Sequence, residues 1–242
     1  MCSYFQKIFF IGFKIYWFIS FIFTNRLFLV QKIGIEQSFS GVVTIVINYL
    51  YLPSFFDTKQ DNSLFYNAKL FENILLQGIS VLVGAKIIVI SCFNLKKIYL
   101  NRFKKINNVI NFSNFKNSTF CHVISLYVLT ILVYSKHNAK FLVDYIKLEL
   151  KSTRKHNTFI LFLKNLLSFV LVLPNKKGWN IVGIRVLFSG RFNGHNRGRS
   201  KQLRLGIIGL QSFKHYIDYN SSFCVTKFGV FGIKVWLNYK QL

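Results

Sequence analysis

Acidic side chains are nearly missing from this chain: Asp and Glu total 7 among 242 residues, against 32 Lys and Arg, for a formal charge of +25. A compact body carrying that charge repels itself unless a polyanion neutralises it, so the shortage of acids points to nucleic acid or an anionic membrane surface as partner. It also bears on catalysis. Paired carboxylates and carboxylate metal sites need acids close together, and these are scattered along the chain. The histidines, at 122, 137, 156, 195 and 215, show no H-E-x-x-H or triad-like context. The cysteines, at 2, 92, 121 and 224, form no C-x-x-C pair, which argues against zinc and for inert thiols in a reduced compartment. No enzymatic activity, metal, cofactor or small-molecule substrate is expected.

Proline (2), alanine (3) and glycine (14) are scarce, while phenylalanine (28), tyrosine (12), isoleucine, asparagine and lysine abound. AT-rich codons produce this composition, and such a bias is common in organellar genomes. The 52% hydrophobic content therefore overstates what is buried. The apolar run from Ile8 to Phe23, broken only by Lys14, is shorter than the roughly 20 residues a spanning helix needs. It has neither the arginines of a transit peptide nor a small-residue cleavage site. A segment packed on a neighbouring protein is the expectation. A basic organellar membrane protein anchored through this run is the alternative.

Along the chain, Val42 to Leu52 reads as a strand ending before Pro53, and Asn67 to Gln77 has helical spacing. Val81 to Ile90 has the β-branched density of a buried strand, and so does Val123 to Tyr134. Between them, the basic, asparagine-rich stretch Asn94 to Asn117 reads as a solvated or RNA-facing connection. Ala139 to Leu150 is expected to be an amphipathic helix burying Leu142, Val143, Ile146 and Leu150. Phe159 to Leu173 is expected to be an apolar helix stopped by Pro174. Strands follow at Val182 to Phe188, Ser212 to Tyr219 and Ile233 to Leu237.

Arginine is used sparingly, 8 against 24 Lys, yet Arg185, Arg191, Arg197, Arg199 and Arg204 fall within twenty residues. Guanidinium grips phosphate bidentately and stacks on bases, whereas ammonium is a point charge, so the cluster marks a place where lysine will not do. Residues 151 to 242 hold 16 Lys and Arg against the single acid Asp218, a net of +15. Side chains so placed can follow a phosphate backbone, with Gly190, Gly194 and Gly198 allowing close approach. Nothing here reads base sequence, so recognition of RNA shape is expected. Two G-x-x-G matches, Gly206 to Gly209 and Gly229 to Gly232, sit in strand and turn surroundings rather than between helices, which favours tight turns over a backbone clamp.

The order Gly183-Ile-Arg-Val-Leu-Phe-Ser-Gly-Arg191, Arg197-Gly-Arg-Ser200, Arg204-Leu-Gly206, Ile217-Asp-Tyr-Asn220 and Gly229-Val-Phe-Gly-Ile-Lys-Val-Trp236 resembles the C-terminal domain of the ribosomal protein S3 family. Ala139-Lys-Phe-Leu-Val143 resembles the start of the helix leading into that domain. The resemblance implies an α+β chain with two parts. Residues 1–138 would be a divergent hydrophobic N-terminal region, a degenerate KH-like domain, and residues 139–242 the S3 C-terminal α/β domain. Lys86 to Ser91 and Ile124 to Val133 would suit KH strands, with Asn94-Leu-Lys-Lys97 standing where the missing glycine clamp belongs.

The implied role is a structural constituent of a small ribosomal subunit, in the subunit head beside the mRNA entrance channel. Its partners would be small-subunit rRNA, mRNA at that channel and neighbouring head proteins, with no membrane insertion. The AT bias and degenerate N-terminal half favour the mitochondrion over the plastid. The residues expected to touch RNA are Lys164, Arg185, Arg191, His195, Arg197, Arg199, Lys201, Arg204 and Lys214. Where the family's channel helix would carry an arginine pair, this chain has Ile160-Leu161. Lys151, Arg154 and Lys155 are the nearest substitutes, so an mRNA-unwinding role carries over only weakly.

Overall fold

In the computed structural model, which describes residues 13–18, 28–37, 43–51, 73, 77–81, 88–109, 122–136, 138–173, 179–196, 198–211 and 215–241, the chain divides into two compact units, residues 1–98 and 99–242. The expected helix from Asn67 to Gln77 lies outside the described residues apart from positions 73 and 77.

The first unit is built on β1 (Phe28–Gln37), β2 (Val43–Tyr51) and β3 (Ile88–Asn94), in the order β1-β2-β3. β1 and β2 pair antiparallel, whereas β3 runs parallel to β2. Parallel neighbours need a crossover between them, and the helical residues 77–81 lie in that connection. Alternation along β2 puts Val43, Ile45 and Ile47 on one face, where they form a core with Ile15 and Ile79. A short helix, α1 (Leu95–Ile98), follows β3 directly.

The second unit opens with α2 (Leu100–Val109) and α3 (His122–Tyr134). Both correct the sequence reading. Asn94 to Asn117 is no open connection in its described part, because α1 and α2 occupy it, and Asn94 to Lys97 spans the end of β3 and the start of a helix. Val123 to Tyr134, expected as a strand and as part of a KH sheet, is helical. A continuous apolar run carries no periodicity to separate a buried strand from a buried helix, and thirteen residues exceed the usual strand. Every residue from Ser125 to Val133 is buried, as a helix hydrophobic all round must be. Its polar side chains find partners: Ser125 Oγ lies 2.8 Å from the Tyr145 hydroxyl, and Thr130 Oγ1 donates to the Tyr127 carbonyl at 2.7 Å. Phe103 of α2 stacks on Tyr127 with ring centroids 4.1 Å apart.

Two amphipathic helices follow, α4 (Ala139–Ser152) and α5 (His156–Val172). α4 buries Leu142, Val143, Ile146 and Leu150 as its periodicity predicts, together with Phe141 and Tyr145. α5 buries Phe159, Phe162, Leu163, Leu166, Leu167 and Val170, and exposes Leu161, Lys164 and Asn165. Fully burying one such apolar side chain contributes about 1.5–3 kcal/mol, so these two faces dominate the attachment of the helices. Among the described residues no helix is long and apolar enough to cross a membrane.

The helices cover one face of a four-stranded antiparallel sheet. Its strands are β4 (Trp179–Gly190), β5 (Arg199–Gly206), β6 (Tyr216–Thr226) and β7 (Gly229–Gln241), in the order β5-β4-β7-β6. β4, β6 and β7 each reach beyond the sequence-read strands, and β5 forms out of what reads as a basic loop. Strand alternation sorts the faces. Ile184, Val186 and Phe188 of β4 and Phe231, Ile233, Val235 and Leu237 of β7 are buried under the helices, and the residues between them point the other way.

A short crossing closes the far end of the sheet. Beyond β5 the chain turns at Gly206, whose φ is +70°, and Ile207 N donates to the Val182 carbonyl at 3.2 Å. Asn238 Nδ2 donates to the Ile207 carbonyl at 2.8 Å. A Cβ on Gly183 would stand 2.1 Å from that carbonyl oxygen, so only glycine lets the two backbones approach.

Candidate nucleic-acid interface

The open face of the sheet is read off the strand register. Arg204 of β5 is opposite Arg185 of β4, Arg185 is opposite Trp236 of β7, and Trp236 is opposite Tyr219 of β6. One row of four side chains thus crosses the whole sheet. The Arg185 guanidinium carbon sits 5.0 Å from the Trp236 ring centroid, within cation-π range, and its Nη2 donates to Gln202 Oε1 at 3.2 Å. The Trp236 and Tyr219 rings are 5.2 Å apart and inclined at 37°. In the next row, exposed Lys234 lies between Leu187 and Ser221. The one acid of the described strands in this sheet, Asp218, faces the helices, where its Oδ2 accepts a hydrogen bond from Ala139 N at 2.8 Å.

The arginine loop occupies one end of the sheet. A 3-10 turn, Phe192–Gly194, anchors it through buried Phe192, which packs edge-on against Phe231 with centroids 5.1 Å apart. Asn193 holds φ at +51°. Its Oδ1 accepts from His156 N at 2.8 Å, and its own N donates to His156 Nδ1 at 3.5 Å. His156 is wholly buried against Phe228 and Phe231, and that burial lowers its pKa, favouring neutral imidazole. Arg191 closes the loop over itself, its Nε donating to the carbonyls of Gly194 and His195 at 3.0 and 2.9 Å.

The structure therefore distributes the sequence-predicted RNA contacts over three places. Arg185 and Arg204 share the open face. Arg191, His195 and Arg199 are exposed at the loop end. Lys164 is exposed on the outer side of α5, on the opposite side of the sheet. Lys201 turns toward the helices instead: its Nζ bonds to Asn157 Oδ1 and lies 5.1 Å from the Phe192 ring centroid. Arg197 and Lys214 lie outside the described residues. Sequence reasoning missed Trp236, Tyr219 and Lys234 as members of the surface, since they are distant in sequence from the arginines and only the register aligns them.

A second basic patch lies on the helical side. Lys151, Arg154 and Lys155 are exposed around the turn from α4 to α5, and Lys147 Nζ reaches Ser222 Oγ of β6 at 3.4 Å. On the same helix as Lys164, Leu161 is 59% exposed and Ile160 is buried, so the outward-facing position of the two is apolar. Burial pushes the Cys224 thiol above its ordinary pKa, as expected for an inert buried cysteine. Among the described residues no three His, Cys, Asp or Glu side chains come together as metal ligands would.

The second unit is an α+β arrangement, a helix-backed antiparallel sheet whose open face is basic and aromatic, with no acid among its described residues, and whose arginine loop lies at one end; such a surface can hold phosphate and stack on bases. Known proteins are similar to part of this unit. Residues 172–237 match the family model described as Ribosomal protein S3, C-terminal domain. Small ribosomal subunit protein uS3 of Vesicomyosocius okutanii is 42% identical over 66 residues, 27% of this chain and 29% of that protein. Small ribosomal subunit protein uS3c of Cyanidium caldarium is 43% identical over 58 residues, 24% of this chain and 28% of that protein. Small ribosomal subunit protein uS3 of Phocaeicola vulgatus is 39% identical over 67 residues, 28% of each. This segment is thus similar to the C-terminal domain of the ribosomal protein S3 family. The matched stretch spans between a quarter and a third of these relatives' length.

Proposed function

We propose that this chain is a non-enzymatic structural constituent of a mitochondrial small ribosomal subunit, binding rRNA in the subunit head beside the mRNA entrance channel. The observation that carries the reading is the coincidence of the S3-like segment, 172–237, with the arginine loop and the basic face of the second unit, on which no described acid lies. Arg185, Arg191, Arg199, Arg204 and Lys234 supply phosphate contacts, a salt-dependent and sequence-independent source of affinity suited to a protein held in folded RNA. In this reading residues 139–242 act as the RNA-binding C-terminal domain. Residues 1–138 form the divergent, KH-like N-terminal region, which contacts neighbouring head proteins. Lys151, Arg154, Lys155 and Lys164 face the mRNA path in place of the absent arginine pair. A plastid location is the second reading, favoured by relatives named uS3c such as that of Chlorella vulgaris.

The test is sedimentation of mitochondrial and plastid lysates through sucrose gradients at moderate and at high salt, following this chain by mass spectrometry. Comigration with small-subunit rRNA at moderate salt and release at high salt is expected. Recovery in the membrane pellet, with no chain in any ribosomal fraction, would overturn the reading.

A further inference from the structure

We propose that the open face of the sheet is a stacking platform for an unpaired segment of RNA, with a base on Tyr219 beside Trp236 and phosphates at Arg204, Arg185 and Lys234. The proposal rests on the RNA-binding reading above and specifies which RNA the face takes.

Three observations carry it. First, Arg204 and Arg185 are directly opposite on neighbouring strands. Like charges so placed repel, a cost that an anion lying between them would remove. Second, the row continues from guanidinium to indole to phenol, with Arg185 5.0 Å from the Trp236 centroid and Tyr219 5.2 Å beyond it. Tyr219 is 47% exposed on β6, an edge strand of the described sheet, so solvent reaches part of it beside the Trp236 ring. Third, no described acid lies on this face, while Lys234 and Gln202 add a cation and an amide in the adjacent row.

Charge complementarity selects the occupant. An acidic peptide would pair with the cations but has no use for the aromatic end, and an apolar protein surface would bury Arg204 and Lys234 without counterions. A single-stranded RNA satisfies both ends at once: every base offers a π-face and every phosphate a charge, and antiparallel four-stranded sheets are suited to splaying bases on aromatic side chains. Duplex RNA would meet the same cations but keep its bases stacked internally, leaving Tyr219 uncovered.

The experiment uses the full chain and two labelled probes, an unstructured RNA of about 12 nucleotides and a duplex of equal length, long enough for one sheet to engage either. Tyr219→Ala is expected to weaken single-strand binding roughly tenfold, the cost of losing one stacked base, and duplex binding less than about twofold. Tyr219→Phe, which keeps the ring, is expected to bind both as the parent does. Ultraviolet crosslinking of the parent chain to the single strand should place a nucleotide on the peptide holding Tyr219 or Trp236, a readout independent of how the variants fold. Unchanged single-strand affinity in Tyr219→Ala, or crosslinks confined to other peptides, would overturn the platform while leaving RNA binding intact. Failure of the parent chain to bind either probe would overturn RNA binding itself, and the platform with it.

Discussion

Asn193 and His156 hold each other by two hydrogen bonds, Asn193 Oδ1 accepting from His156 N at 2.8 Å and Asn193 N donating to His156 Nδ1 at 3.5 Å. The pair joins the start of α5 to the arginine loop, 37 residues away in sequence. Asn193 does so from a left-handed conformation, φ +51°, which asparagine tolerates better than most residues. Asn193→Ala should lose both the bond and that tolerance, about 2 kcal/mol in urea denaturation, whereas Asn193→Gly keeps the backbone freedom and should lose about 1 kcal/mol. Equal losses would show that the backbone conformation contributes nothing.

The same histidine sets a pH dependence. Burial lowers the His156 pKa in the folded chain, so below about pH 6.5 the unfolded chain binds the additional proton and stability falls with falling pH. His156→Gln should flatten the acid side of a plot of midpoint against pH. An unchanged slope would show that imidazole protonation is not responsible.

Glu149 works in the other direction. Burial at the end of α4 raises its carboxyl to about 7, partly offset by a hydrogen bond from Ser152. The folded chain therefore holds a proton that the unfolded chain releases, and stability falls as pH rises from about 4.5 through 7. Glu149→Gln should leave the midpoint unchanged at pH 4.5 and stabilise at pH 8 by on the order of 2 kcal/mol. No gain at pH 8 would mean that the carboxylate is hydrated in the folded protein.

Gly183 faces the crossing after β5 so closely that an added Cβ would meet the Ile207 carbonyl at 2.1 Å. Gly183→Ala should cost on the order of 3 kcal/mol, or displace residues 206–208 and break the Asn238 bond to Ile207. Thermal unfolding and the amide signal of Ile207 would separate the two outcomes, and a variant with parental stability and an unshifted signal would contradict the packing.

Asp218 and Tyr219, adjacent in sequence, point to opposite faces of β6. Asp218 supports the first turn of α4 through Ala139 N, so Asp218→Ala should lower stability by about 1 kcal/mol while leaving RNA affinity within twofold. Arg204→Ala should do the reverse, with little effect on stability and a decrease of about 0.7 in the slope of log affinity against log salt for single-stranded RNA. Titrations at several salt concentrations check both, and an unaltered slope for Arg204→Ala would remove that residue from the phosphate contacts.

α4 was legible because Leu142, Val143, Ile146 and Leu150 recur at helical spacing, and α5 because its apolar run ends before Pro174. α3 was not, since a run apolar on every side has no period to reveal its geometry, and its helical state follows from packing among α2, α4 and α5. β5 was hidden for a different reason. None of its residues is β-branched or aromatic, so nothing in it signals a strand, and pairing along β4 from Gly183 to Gly190 makes it one.

By itself, the sequence determined the basic charge, the order of the S3-like motifs and the concentration of arginine between 185 and 204, because these are properties of residue type and order. Tertiary structure alone decided which of those cations act together. Register placed Arg204, Arg185, Trp236 and Tyr219 in one row from four separate strands, while alternation turned Lys201 and Asp218 to the covered face. A shift of one residue in any of these strands would reverse the assignments of that strand, and what holds the register is the buried face: Val186, Phe188, Ile233 and Val235 can be removed from water only one way.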